Sequence, residues 1–219
     1  MRLFVALALP GWAADELDQE LAPLRPAWPG LRWTGTDAWH LTLAFLGEVE
    51  EPALAGLTTR LARAAGRHPR LNLSLGGAGA FPSQAKARVL WAGVQGDRQG
   101  LTALAASVAA GARRAGAPPV SDGRRYQPHL TLARCRSPVD VRPLVAALDS
   151  HTGGPWAAAE VYLIRSRLQQ QPRYETLGAW PLRVPTPPGR AAGEASWAPA
   201  SQAPAPANPA AAPGLGYGP

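Results

Sequence analysis

Apolar residues come in short blocks along residues 1–184, and the period of those blocks alternates between two and about 3.6. RLFVALAL at 2–9 is a brief, nearly unbroken apolar run and predicts a buried strand. Residues 12–24 put Trp12, Leu17, Leu21 and Leu24 near helical spacing, with Asp15 and Glu16 toward the start, which predicts a helix. HLTLAFLG at 40–47 alternates as a strand does, and Pro52 then opens a helix with Leu54, Leu57, Leu61 and Ala65 on one stripe. A strand near 71–77 closes this series.

The same order then returns. RVLWAGV at 88–94 reads as a strand, and Leu101, Leu104, Val108 and Ala112 mark a helix that ends before Gly116. HLTLARC at 129–135 follows as the second motif strand. Ser137 is placed to cap a helix with Pro138 at its first position, Asp140 at its third, and Val141, Leu144, Val145 and Leu148 as its apolar face. VYLIRSRL at 161–168 closes the second series, and one strand near 173–180 is left over. Each series reads strand, helix, motif strand, helix, strand, the pattern of a duplicated unit.

Composition changes this picture at one end. From Pro185 to Pro219, nine of 35 residues are proline, alanine is abundant, and only Arg190 and Glu194 are charged, so a disordered tail is expected beyond a folded domain at 1–184. The net charge of +7 favours anionic partners such as nucleic acid. Its weight is reduced because Lys86 is the only lysine among 22 basic residues, an arginine and alanine bias that genome composition also produces. Cys135 is the only cysteine, which excludes an intramolecular disulfide and a multi-cysteine metal site and fits a cytoplasmic location. MRLFVALALPGWA imitates a signal peptide, but Pro10-Gly11 ends its apolar run early, and no stretch has the length of a membrane span.

Two of the four histidines head the same tetrapeptide, His40-Leu-Thr42-Leu and His129-Leu-Thr131-Leu, 89 residues apart. A given histidine is followed by Leu-Thr-Leu by accident roughly once in a thousand times at ordinary residue frequencies. Strand alternation puts His40 and Thr42 on one face, His129 and Thr131 on the equivalent face, and the leucines on the other. One alternative is that both histidines are ordinary partly buried residues kept after an ancient duplication. Another is a metal site, but neither motif brings an acid or thiol to the histidine face, and threonine is a poor ligand. Two imidazoles on opposite sides of a cleft instead suit displacement at phosphorus: one accepts a proton from the attacking water and the other gives one to the leaving oxygen. The threonine hydroxyls suit the non-bridging oxygens, and no cofactor is needed.

The paired H-x-T-x motifs resemble those of the two-histidine phosphoesterases, and within them the bacterial RNA 2′,3′-cyclic phosphodiesterases once called 2′-5′ RNA ligases (LigT or ThpR type). RLFVALALP, HLTLAFLGEV, FPSQAKARVLWAGV, YQPHLTLAR, VYLIRSRL and RYETLGAWPL also look like family landmarks, so the resemblance covers about residues 1–182. It implies an α+β fold: a bilobal, pseudo-twofold duplicated unit with antiparallel sheets facing a central groove and helices outside. It also implies metal-free hydrolysis of a terminal RNA 2′,3′-cyclic phosphate to a 2′-phosphate, with reverse 2′-5′ ligation as a side activity. By position, His40 is expected as acid toward O3′ and His129 as base toward water, with Thr42 and Thr131 assisting. Phe45 is expected at the terminal base and Arg134 at the phosphate. Both lie an odd number of residues beyond their histidines, so each requires a bulge or strand end to reach the same cleft. Arg124, Arg125 and Tyr126 are candidates for steering the RNA backbone, with a solvated loop as the alternative. His68 and His151 receive no role, and Cys135 is expected to be inert.

The implied partner is RNA with a 2′,3′-cyclic phosphate end, tRNA fragments among the candidates, and neither a metal nor a membrane is implied; a monomer is expected. Two other readings stay open: an RNA end-binding module without catalysis, and a phosphodiesterase for small cyclic phosphates such as ADP-ribose 1″,2″-cyclic phosphate or cyclic nucleotides.

Overall fold

The structure, a computed structural model, describes residues 1–120, 125–167 and 173–184. The chain separates into a unit Met1–Pro185 and a unit Thr186–Pro219; the second, where a disordered tail is expected, lies outside the described residues, as does Arg124.

The first series of elements is β1 (Arg2–Ala8), α1 (Gly11–Leu21), a short strand β2 (Leu31–Trp33), the motif strand β3 (His40–Glu48), α2 (Leu54–Ala65) and β4 (Leu71–Phe81). The second is β5 (Ala87–Gly96), α3 (Arg98–Arg114), the motif strand β6 (His129–Val139), α4 (Arg142–Leu148), a short strand β7 (Trp156–Ala158) and β8 (Glu160–Ser166), followed by β9 (Tyr174–Pro181). The strand, helix, motif strand, helix, strand order therefore occurs twice. Strands β2 and β7, of three residues each, carry no period that a sequence can show.

Ser137 and Pro138 do not start a helix. Strand β6 continues through both, held by the pairing of Ala87 with Val139, and α4 begins at Arg142 with Pro143 in its first turn. Asp140 sits just ahead, its carboxylate accepting from the Arg142 backbone N–H at 3.1 Å. Sheet pairing has overridden a local capping signal, and the next proline supplies the pre-set helical φ instead.

Among the described residues, nine strands form one mixed-order antiparallel sheet, β7-β4-β5-β6-β3-β1-β8-β9, with β2 on β6. The two series exchange their closing strands: β4, from the first, pairs with β5, and β8, from the second, pairs with β1. Each four-strand half is thus built from both parts of the sequence; an isolated bridge joins Pro69, ahead of β4, to Arg183, beyond β9, and the motif strands β3 and β6 meet through the pair Leu41 and Leu130. These two leucines hold the same position in their motifs. A local twofold axis between them follows.

The helices cover one side. Helices α2 and α3 pack on each other, and α3 also lies against β3. The core beneath them contains Leu41, Leu43, Leu130 and Leu132, all buried. The other side of β3 and β6 carries His40, Thr42, His129 and Thr131, each partly exposed. Alternation alone accounts for this division.

Candidate active site

The antiparallel register of Leu41 with Leu130 has a geometric consequence. It sets the two motifs side by side and antiparallel, with His40 and Thr42 on the same side of the sheet as His129 and Thr131. The rings also sense each other electrostatically, since a charge on His129 lowers the proton affinity of His40. The four motif side chains share one partly exposed face of the sheet.

Phe45 and Arg134 reach the same face by the device their spacing demands. In β3 the partners of Thr42 and Ala44 are Ala6 and Val5, which leaves Leu43 as an extra residue; in β6 the partners of Thr131 and Ala133 are Trp91 and Leu90, which leaves Leu132 extra. Each strand has a bulge at the same motif position. Two consecutive residues then face the core, Leu43-Ala44 and Leu132-Ala133, and the residues after them, Phe45 and Arg134, turn outward. Phe45 is 48% exposed, large for an apolar ring, and suits a flat ligand that would cover it.

Both histidines are anchored alike. The His129 Nδ1–H donates to the Gln127 carbonyl at 2.7 Å, and the His40 ring bonds to the Ala38 carbonyl, in each case two residues upstream. A carbonyl only accepts, so Nδ1 of His129 carries the hydrogen and its Nε2 is left for chemistry. Aromatic rings flank each imidazole. Phe4 lies 4.6 Å from His40 and Tyr174 stands edge-on at 5.5 Å; Phe81 stands edge-on to His129 at 5.0 Å, with Trp91 at 6.3 Å.

These surroundings lower both basicities. Burial holds His40 down to about 4 against an ordinary 6.5, with the Arg134, His129 and Arg173 charges adding to the effect and the Ala38 carbonyl opposing it. His129 is lowered by burial and by Arg134, while the Gln127 carbonyl works the other way. Arg134 therefore acts on both imidazoles, and Arg173, stacked 5.6 Å over the Tyr174 ring, acts on His40. Such a site favours an anion, whose charge would restore proton affinity to either ring.

Tyr126 is placed differently from a side chain that touches substrate. Its hydroxyl donates to the Thr42 carbonyl at 3.1 Å, spanning from the segment before β6 to β3, and burial holds its proton well above the usual phenol range. It ties the two motif strands together. Arg125 is exposed. His68 bonds to the Ser107 hydroxyl at 2.8 Å, away from the motif face, and Cys135 is buried with its thiol held protonated by that burial. Phe4, Phe81, Trp91, Arg173 and Tyr174 were not distinguishable as site residues by spacing, because other strands bring them in. Among the described residues no three His, Cys, Asp or Glu side chains cluster as metal ligands would, and no helix is long and apolar enough to cross a membrane.

A family model described as the 2′-5′ RNA ligase superfamily matches residues 13–170. The chain is 32% identical over 185 residues to the RNA 2′,3′-cyclic phosphodiesterase of Escherichia coli K12, covering 83% of this chain and 96% of that one. It is 29% identical over 193 residues to the protein of the same name from Geobacillus stearothermophilus, covering 85% of this chain but only 59% of that relative's length. Among solved structures, E. coli LigT complexed with 3′-AMP superposes with a TM-score of 0.66 at 31% identity, covering 83% of this chain and 97% of that one. The Thermus thermophilus protein TT0787 gives 0.68 at 29% identity, covering 84% and 99%. With the motif pair, the bulged strands and the exchanged sheet in place, the chain belongs to the 2′-5′ RNA ligase superfamily.

Proposed function

We propose that this protein is an RNA 2′,3′-cyclic phosphodiesterase that hydrolyses a terminal cyclic phosphate to a 2′-phosphomonoester without a metal. The observation that carries this reading is the pair of carbonyl-anchored imidazoles, each beside a threonine, on one face of two strands joined at Leu41 and Leu130. The names of the curated relatives support the substrate class.

In this reaction a water oxygen attacks phosphorus, the bond from phosphorus to O3′ breaks, the water proton passes to the neutral imidazole, and the protonated imidazole supplies a proton to O3′. Thr42 and Thr131 donate to the non-bridging oxygens, and Arg134 offsets their charge. Phe45 stacks on the terminal base. Each imidazole contributes about 10²- to 10⁴-fold. The same displacement with a 5′-hydroxyl in place of water, forming the bond from phosphorus to O5′ and breaking the one to O3′, gives a 2′-5′ linkage.

Both rings lie below their ordinary proton affinity in the free protein, lowered by burial and by Arg134, and the family resemblance places His40 as acid toward O3′ and His129 as base toward water. A substrate with sulfur in place of O3′ separates the two, because a thiolate leaves without a proton. The variant lacking the acid is rescued by it and the variant lacking the base is not.

The defining experiment is turnover of an oligoribonucleotide ending in a 2′,3′-cyclic phosphate, in EDTA. Multiple turnovers are expected, with His40→Ala and His129→Ala each slower by at least about 10²-fold. Product at no more than stoichiometric amount supports a binding module instead, and full activity in either variant overturns the mechanism. A preference for ADP-ribose 1″,2″-cyclic phosphate or cyclic mononucleotides over RNA reassigns the substrate.

A further inference from the structure

Beside the active site, on the half formed by β4 and β5, lies a cavity of about 310 Å³ that the reaction at phosphorus does not use. Its floor is bare backbone. Gly93 is the direct cross-strand partner of His129, and residues so paired are only about 4.5–5.5 Å apart. A Cβ on Gly93 would come within 2.6 Å of the Gly76 carbonyl, so no other residue fits there without displacing β4. Next to it β4 bulges: the register with β5 shifts between Leu75 and Ala78, and Gly77 has φ of +68°, a conformation that glycine adopts without strain. Two glycines and a bulge therefore leave a slot in the sheet surface next to a catalytic ring.

The walls carry the groups a nucleotide needs. Trp91 lies flat over Gly79 on the histidine side, its ring within 2.2 Å of where a Cβ would stand, and it borders both the cavity and His129. Gln95 and Gln127 present amides that can donate and accept, Arg98 presents a guanidinium at the start of α3, and Asp149 presents an acceptor. Gln95, Arg98, Gln127 and Asp149 are all exposed and so available to a ligand. The volume falls at the lower end of the range for small-molecule sites, about 300–1,000 Å³, which suits one nucleoside rather than a folded RNA.

We propose that this cavity is a subsite for the nucleotide immediately 5′ to the cyclic-phosphate end, with its base against Trp91, its base edge at Gln95, and its phosphate at Arg98. Continuity with the catalytic cleft through Gly93 and His129 is what singles out a neighbouring nucleotide of the same strand over an unrelated ligand. Asp149 accepts from the ribose hydroxyl or an exocyclic amine of that nucleotide. The site makes the enzyme select chain ends over mononucleotides. This assignment rests on the active-site reading above.

The test is equilibrium binding by calorimetry, which needs no turnover, comparing a nucleoside 2′-phosphate with a ribodinucleotide whose 3′-terminal residue carries the 2′-phosphate. One stacked base contributes about 1–3 kcal/mol, so the wild type is expected to bind the dinucleotide about 5- to 150-fold more tightly. Arg98→Glu, and separately Gln95→Leu, should cut that ratio at least threefold, with circular dichroism confirming the fold. Equal affinities for the two ligands in the wild type, or a ratio unmoved in both variants, overturn the subsite and leave the phosphodiesterase reading standing. Binding of neither ligand overturns both.

Discussion

Acidification should destabilise this protein through His40, and the size of the effect follows from where the ring sits. Packed between Phe4 and Tyr174 and near Arg134 and Arg173, His40 titrates at about 4 when folded against 6.5 when free. The depressed value means that between these two pH values the unfolded chain binds the proton and the folded chain does not. Lowering the pH therefore favours unfolding, and the stability that neutral His40 allows is fully present above pH 6.5 and lost as pH falls toward 4. At pH 4.5 the free ring is almost wholly protonated and the folded ring about a quarter, which amounts to about 2 kcal/mol relative to pH 7. Part of the ring meets solvent, so this is an upper figure. The measurement is urea unfolding of wild type and His40→Gln at pH 7 and pH 4.5. Carboxylate titrations are common to both proteins and cancel in the difference, as does the pH-independent packing cost of the substitution. The wild type should lose about 1–2 kcal/mol more than the variant on acidification. Equal losses, within about 0.5 kcal/mol, would show that the cleft does not hold this imidazole neutral.

Other substitutions isolate other parts of the site. Phe45→Ala should raise KM for an RNA end about 5- to 150-fold, from the loss of one stacked base, while Tm stays put because the ring is half exposed; a large drop in Tm with KM unchanged would make Phe45 a packing residue. Arg134→Ala removes a charge that depresses both imidazoles, so the acid limb of kcat/KM against pH should move to higher pH, and kcat/KM should fall about 10- to 150-fold with the lost phosphate contact. A stationary limb would place Arg134 away from the rings. Leu130→Ala, at the pairing between the motif strands and 1% exposed, should cost about 2–5 kcal/mol in denaturant unfolding; a cost under about 1 kcal/mol would mean that the junction is not held by this core.

Much of this architecture is visible in the sequence because the motif strands alternate cleanly and the helices carry single apolar stripes. His40, Thr42, His129 and Thr131 are legible for the same reason: a strand of period two divides its residues between core and cleft without help from elsewhere. The bulges at Leu43 and Leu132 are half legible, since the odd spacing of Phe45 and Arg134 demands some irregularity without saying which kind. The strand exchange is not legible at all. Partner choice in a sheet depends on contacts between distant segments, so no local pattern announces that β8 rather than β4 completes the half containing β1, or that Tyr174 will face His40. The Ser137-Pro138 signal misleads because it is locally sound and globally outweighed. Tyr126 shows a subtler gap: its place beside the motif is plain from sequence, but its hydroxyl bond to Thr42 depends on how β3 and β6 approach.

The exchange of closing strands also sets when the protein can first exist. Strand β1 finds its second neighbour only in β8, as Leu3 pairs with Arg165, and His40 gains Tyr174 only after that. A nascent chain that has emerged through the first motif therefore carries an unpaired strand edge for most of its synthesis. Neither repeat, released alone, contains a full set of partners for its own histidine, since His40 meets Tyr174 and His129 meets Phe81.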